Sequence, residues 1–146
     1  MRSDPKLVDP YLNYRFVVEM DGVQSAGFTE CSGLSSKIDV VTYREGGDSI
    51  GVRKLPGQTN YPDITLKWGV TDSKELYDWH VNAIQGNIVR KACSIIIMGE
   101  DKEEKVRWNL TDAWPNSWTG PSFNAKGSDV AIEQMTLTCE KVERSR

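Results

Sequence analysis

The chain is predicted to be mainly β: two packed antiparallel sheets, forming a sandwich or barrel, with one flanking α-helix at about residues 73–85 and a long extended hairpin or loop at about 44–60. Three observations predict this. Apolar residues recur at every second position in segment after segment, a single stretch carries helical spacing, and one connection is far longer than a turn requires. The 146 residues suit one domain spanning 1–146, long enough to bury about two thirds of the unfolded surface.

The strands follow in order. In "NYRFVVEM", Tyr14, Phe16, Val18 and Met20 share a face opposite Arg15 and Glu19, and Asp21-Gly22 supplies a turn. An extended stretch runs through Phe28 and Cys31 to Gly33. In "KIDVVTY", Ile38, Val40 and Thr42 oppose Lys37 and Asp39, and in "DITLKW", Ile64, Leu66 and Trp68 oppose Asp63, Thr65 and Lys67. "ACSIIIM" is apolar on both faces, as a central strand should be. "GEDKEE" reads as a charged hairpin tip leading into "KVRWNLTDAW", where Val106, Trp108 and Leu110 alternate with Arg107, Asn109 and Thr111. In "VAIEQMTLTCEKV" the apolar phase changes from Val130 and Ile132 to Met135, Leu137 and Cys139, which predicts a bulge near Glu133-Gln134.

For the helix, Asp72 and Glu75 have capping-box spacing, Leu76, Trp79, Ala83 and Ile84 form one stripe, and Gly86 suits a left-handed end.

Composition excludes several classes of function. Net charge is -3 with both signs interspersed, so no basic footprint for nucleic acid is present. The N-terminal "MRSDPKLVDPYLNY" lacks the apolar run of a secretion signal, and the apolar run at residues 95–98 is too short to span a bilayer. Cys31, Cys93 and Cys139 are odd in number and widely spaced, the pattern of reduced, buried thiols in a chain made in a cytoplasm.

No chemical motif stands. "YREGGDSIGVRKLPG" places four residues between Gly46 and Gly51, as a phosphate loop does. Yet Val52 and Arg53 occupy the places of the required Lys and Ser or Thr, and Pro56, Gly57 and Pro62 forbid the helix that must follow. His80 is the only histidine, lies on the apolar helix stripe and has no nucleophile motif beside it. The acidic cluster Glu100, Asp101, Glu103 and Glu104 is interleaved with Lys102 and Lys105 and lacks calcium-loop order. No catalytic residue, metal or cofactor is therefore expected. Of the five tryptophans, four are assigned to the core, while Trp118, between Pro115 and Pro121, is expected on a loop facing a partner or capping the barrel end.

The ordered landmarks "DPYLNYRFVVEMDGV", "GFTECSGL", "VVTYREGG", "RKLPGQTNYPDITLKWGV", "ELYDW", "VRWNLTDAWP" and "DVAIEQMTL" span residues 9 to about 140. Together they resemble the tail tube proteins of contractile phages and of phage-derived extracellular contractile injection systems. The ending after Cys139, "CEKVERSR", departs modestly from that pattern. The resemblance implies a non-enzymatic structural subunit whose hexameric rings stack into a hollow tube. A contracting sheath drives such a tube through a target envelope. It further implies partners: other copies of the chain, sheath, baseplate or hub, tube-terminating proteins, and protein cargo, tape-measure protein or DNA in the lumen. No stable membrane insertion by the isolated subunit is implied. Assembly in the bacterial cytoplasm and residence in a virion or a phage tail-like particle follow from it.

On this reading Arg44, Asp48, Ile50, Val52, Arg53, Lys54, Leu55 and Trp118 are candidate contacts between subunits or rings. Lys37, Asp39, Asp63, Thr65, Lys67, Arg107, Asn109 and Thr111 are candidate lumen residues. Two alternatives stand beside the main tube: an initiator or adaptor ring joining tube to baseplate, and a carbohydrate-binding β-sandwich displaying Trp118 and Tyr61.

Overall fold

A computed structural model of the protein describes residues 9–25, 27–44, 46 and 51–146. Among these residues ten strands and one helix follow in the order β1 (Phe16–Met20), β2 (Val23–Ser25), β3 (Phe28–Ser32), β4 (Lys37–Tyr43), β5 (Arg53–Asn60), β6 (Ile64–Gly69), α1 (Glu75–Ile84), β7 (Lys91–Met98), β8 (Glu104–Thr119), β9 (Ile132–Thr138) and β10 (Lys141–Arg144). All pairings are antiparallel.

β8 organises the molecule. Its residues 104–113 pair with β7 and extend through β1 to β2, while β10 lines its other edge. Its residues 114–119 pair instead with β9, which continues through β6 to β3. One strand of 16 residues thus belongs to two sheets. The inner faces meet in one core that includes Val18, Met20, Cys93, Ile95 and Leu110 from the first sheet and Ile64, Leu66, Trp68, Met135 and Leu137 from the second. Period-two alternation explains the packing: β6 buries Ile64, Leu66 and Trp68 and leaves Thr65 and Lys67 on the outside.

The helix closes the core. Trp79 is 4% exposed, and its indole N–H donates to the Val89 carbonyl oxygen at 2.7 Å. The predicted helical end is present. Gly86 adopts φ 91°, its N–H reaches the Ala83 carbonyl, and that of Asn87 reaches Asn82, the paired bonds of a Schellman ending.

Four expectations are corrected. The helix starts at Glu75 with Lys74 in the cap position and no side-chain cap bond, because the Thr71 hydroxyl accepts the Ser73 N–H in a competing local turn. Ile84 lies outside the packed stripe and is 70% exposed. No bulge occurs at Glu133-Gln134, where β9 keeps register with β6 from Gly69↔Ile132 to Ile64↔Leu137; the shift falls opposite, in β8 between Pro115 and Ser117. Finally, Trp118 is a strand residue. β8 passes through Pro115 because a bulge tolerates the missing donor, and the Trp118 ring packs on Tyr77 with centroids 4.9 Å apart.

Candidate assembly surfaces

β4 and β5 stand apart from the rest. They connect β3 to β6, two strands that are themselves neighbours through Cys31↔Leu66 and Ser32↔Thr65. A short turn would serve that connection, yet the chain leaves the sheet, pairs only with itself among the described residues, and returns. The predicted excursion at 44–60 is therefore an extended hairpin, but its first arm begins at Lys37. Sequence reading placed "KIDVVTY" in the sandwich because its alternation is that of any half-buried strand.

Among the described residues, alternation on this hairpin serves no core of its own chain. All of β5 is exposed, and in β4 only Asp39 is half-buried. Val41 faces Leu55 and Tyr43 faces Arg53 on one side; Val40 faces Pro56 and Thr42 faces Lys54 on the other. Val40 is 65% exposed, Ile38 56% and Val41 49%. An isolated two-stranded hairpin is marginal in water, and one with apolar residues on both faces needs cover. The hairpin carries Arg53, Lys54 and Leu55 of the candidate contacts, and Arg44 and Val52 lie beside its arms. Asp48 and Ile50 lie outside the described residues.

The candidate lumen residues divide into three groups. Asp63, Thr65 and Lys67 lie on the outward face of the second sheet. There two cross-strand rows, Ser32–Thr65–Thr136–Ser117 and Glu30–Lys67–Gln134–Thr119, present hydroxyls, an amide and one ion pair, Lys67 Nζ to Glu30 at 3.2 Å. Arg107, Asn109 and Thr111 lie on the outward face of the first sheet, across the core. Lys37 and Asp39 belong to the hairpin, and the Asp39 carboxylate accepts from Asn60 Nδ2 at 3.0 Å. The opposite directions of the two outward faces prevent one surface from collecting all eight residues. A per-strand polar face is legible in sequence; which sheet it belongs to is not.

The face around Arg107 is a fixed ion network. Its guanidinium donates to Glu104 at 2.7 and 2.9 Å and to Glu19 at 3.2 Å. These bonds raise the Arg107 pKa and hold Glu104 below the usual carboxylate range. Beside them the Ser94 hydroxyl donates to Asn109 Oδ1 at 2.7 Å. The acidic tip is held by Lys105, whose bond to Asp101 at 2.9 Å lowers that carboxyl's pKa, as a solvated hairpin end rather than a calcium loop.

His80 faces the Pro115 carbonyl oxygen through Nδ1 at 3.3 Å, where β8 has passed beyond its pairing with β7. It covers a strand edge. The three cysteines are unpaired. Burial, with the Glu30 charge, pushes the Cys31 thiol up to about 11; burial and Asp21 push Cys93 up to about 12; burial also raises Cys139. Burial thus disfavours the thiolate at all three positions. Trp118 and Tyr61 both pack toward the core, which removes the aromatic display that a carbohydrate-binding reading requires. Among the described residues no cluster fit for a metal ion occurs, and no helix is long and apolar enough to cross a membrane.

A closed sandwich carrying an uncovered hairpin is the form of an assembling structural subunit. The model of the T4-like virus tail tube protein gp19 family matches residues 12–143, and the chain belongs to that family. Among solved structures, it is similar to a chain of the anti-feeding prophage cap, the AFP tube terminating cap, at 38% identity and TM-score 0.86, covering 98% of this chain and 95% of that one. It is similar at 34% identity to a chain in the PVC sheath-tube complex of an extracellular contractile injection system in the extended state, with TM-score 0.83 and coverage of 93% and 91%. A chain of the PVC sheath/tube terminator matches at 34% identity and TM-score 0.86, covering 96% and 99%. Hcp1 from Flavobacterium johnsoniae, at 16% identity and TM-score 0.55, shares the fold. Comparison with curated proteins gives no match. The chain is thus a tube subunit of the contractile-injection type, as the sequence landmarks imply.

Proposed function

We propose that residues 1–146 act as one domain, that six copies close into a ring, and that rings stack into the hollow inner tube of a contractile injection machine. The single observation that carries this reading is the β4–β5 hairpin of a tube-family chain, apolar on both faces and uncovered by the described residues of its own subunit. Neighbouring copies supply the cover. Arg44, Asp48, Arg53 and Lys54 provide polar contacts there, and Ile50, Val52 and Leu55 apolar ones. Trp118 takes a supporting part, holding α1 against β8 through Tyr77. Each interface buries well above ~1,000 Å² in total, the size of a stable contact.

The lumen wall is assigned to the outward face of the second sheet, with Thr65, Lys67 and Asp63. Uncharged hydroxyls and a self-neutralised ion pair hold water without gripping a moving cargo. Lys37 and Asp39 are reassigned to hairpin contacts, and Arg107, Asn109 and Thr111 to the opposite, outer side. The partners on this reading are sheath around the tube, baseplate or hub and terminating proteins at its ends, and protein cargo, tape-measure protein or DNA within. The subunit performs no covalent chemistry. It is made and assembled in a bacterial cytoplasm and resides in a virion or a phage tail-like particle.

A second reading, a specialised ring at a tube end, is favoured by the similarity to chains from the cap and terminator structures. Negative-stain microscopy of the purified protein separates the two. Indefinite tubes of hexameric rings are expected for the main tube subunit and single rings for an end piece. Monomers alone at high concentration and physiological salt would overturn both.

A further inference from the structure

The hairpin leaves the sandwich through two short connections, residues 33–36 and 61–63, and both are tied down. Gly33 adopts φ 98°, and a Cβ there would run into the Asp63 carbonyl oxygen, with Ile64 Cα only 3.2 Å away. The outgoing and returning connections therefore touch backbone to backbone. Leu34 and Tyr61, one on each connection, are partly buried and pack against the core. The Asp63 carboxylate is held on both oxygens: Oδ2 accepts from Asn116 Nδ2 at 2.8 Å and Oδ1 from the Thr138 hydroxyl at 3.1 Å. Asn116 Nδ2 also donates to Thr138 Oγ1 at 2.6 Å. The donors suffice for all three bonds, since the amide has two N–H groups and the hydroxyl accepts one bond while donating another.

Asn116 sits where β8 and β9 shift register. A bulge re-aims the side chain it carries, and here it aims Asn116 across β9 at the strand that receives the hairpin. Three separate devices thus converge on one point: a glycine contact, two anchoring side chains and a three-residue hydrogen-bond network. The hairpin beyond that point is almost wholly exposed.

We infer that Gly33 and the Asp63–Asn116–Thr138 network form a clamp that fixes the direction of the β4–β5 hairpin in the free subunit, so that the hairpin is presented to neighbouring copies already aimed. This rests on the reading that the hairpin is an assembly contact. Its consequence is kinetic and thermodynamic: a subunit whose hairpin samples many directions binds only from the competent fraction, and its apparent affinity falls by that fraction. Asp63, Asn116 and Thr138 are positioning residues, since the network itself need touch no neighbour.

The test uses spin labels on Gln58→Cys and Glu75→Cys for distances and the unlabelled full chain for tube thresholds; Cys93 and Cys139 are buried and Cys31 half-buried, and a chain without the two added cysteines measures any labelling of these native thiols. In Asn116→Ala and Thr138→Val the distance distribution between hairpin and helix should broaden below the assembly threshold, with circular dichroism unchanged. The concentration needed for tubes should rise about tenfold, as it does when the competent fraction falls to roughly a tenth. Thr138→Ser, which keeps the hydroxyl, should behave as the wild type. If distances and threshold both stay at wild-type values in the two disrupting variants, the clamp proposal is wrong. It is equally wrong if only one of the two changes. A separate chain with residues 44–52 replaced by a short Gly-Ser turn probes the underlying reading: normal tubes from that chain would remove the hairpin as a contact, whatever the clamp variants do.

Discussion

β6 and β4 are both short alternating strands, and they meet opposite fates. β6 buries Ile64, Leu66 and Trp68 to 7% exposure or less, whereas β4 leaves Ile38, Val40 and Val41 about half exposed or more. Sequence pattern does not separate them. What differs is the other side of the contact: β6 lies between β3 and β9 over the inner face of the first sheet, while β4 has only β5 among the described residues. Burying an apolar side chain contributes roughly 1.5–3 kcal/mol wherever the cover comes from. In β6 that contribution stabilises the fold; in β4 it is left for association. The two regions should therefore fail in different assays.

The largest expected effect is on the covered side. Leu66→Ala should cost about 2–5 kcal/mol, since a cavity opens in a core with little room to relax. A urea titration should show the midpoint falling in proportion. The matching change on the uncovered side, Val41→Asp, should leave the unfolding midpoint of the unassembled subunit within roughly ±0.5 kcal/mol of wild type. It should nevertheless abolish tubes by microscopy. A large stability loss in Val41→Asp would mean the hairpin is already covered within its own chain.

At the junction of the two regions, Gly33→Ala adds a side chain at positive φ and against the Asp63 carbonyl. It should cost about 1–3 kcal/mol and impair assembly as well, the one change expected to register in both assays. Thermal melts and a sedimentation series check this.

Smaller effects come from ionisation. The Cys93 thiol ionises at 9.0 when free and at about 12 in the fold. The folded state then retains the proton that the unfolded chain releases, so the related stability is intact below pH 9 and declines progressively toward pH 12. Cys93→Ala should flatten that alkaline decline while lowering stability at neutral pH. Glu104 has the opposite sign. Its depressed pKa gives stability above the ordinary carboxylate value that is lost as pH falls from about 4 through the folded pKa. Glu104→Gln should remove that acid dependence, as melts between neutral and acid pH would show.

Much of this was legible in the sequence. The alternation in "DITLKW" and "NYRFVVEM" and the helix ended by Gly86 followed from local pattern. The excursion after Tyr43 was legible as a reach beyond the domain, because a connection between neighbouring strands needs far fewer residues. Its root was not, since whether "KIDVVTY" joins the sandwich or pairs with β5 depends on its neighbours and not on its own alternation. Trp118 was misplaced for a similar reason. Pro115 and Pro121 suggest a loop, and only β9 alongside turns that stretch into strand. The Asp63–Asn116–Thr138 network joins residues 22 to 75 positions apart, and no local signal announces it.

Hydrogen exchange measured separately on unassembled subunits and on tubes distinguishes the strand covered within the subunit from the hairpin covered by neighbours. Amides of Ile64, Leu66 and Trp68 should exchange slowly in both states, and those of β4 and β5 rapidly in the subunit but slowly in the tube. Equal exchange of the hairpin amides in the two states would contradict the account.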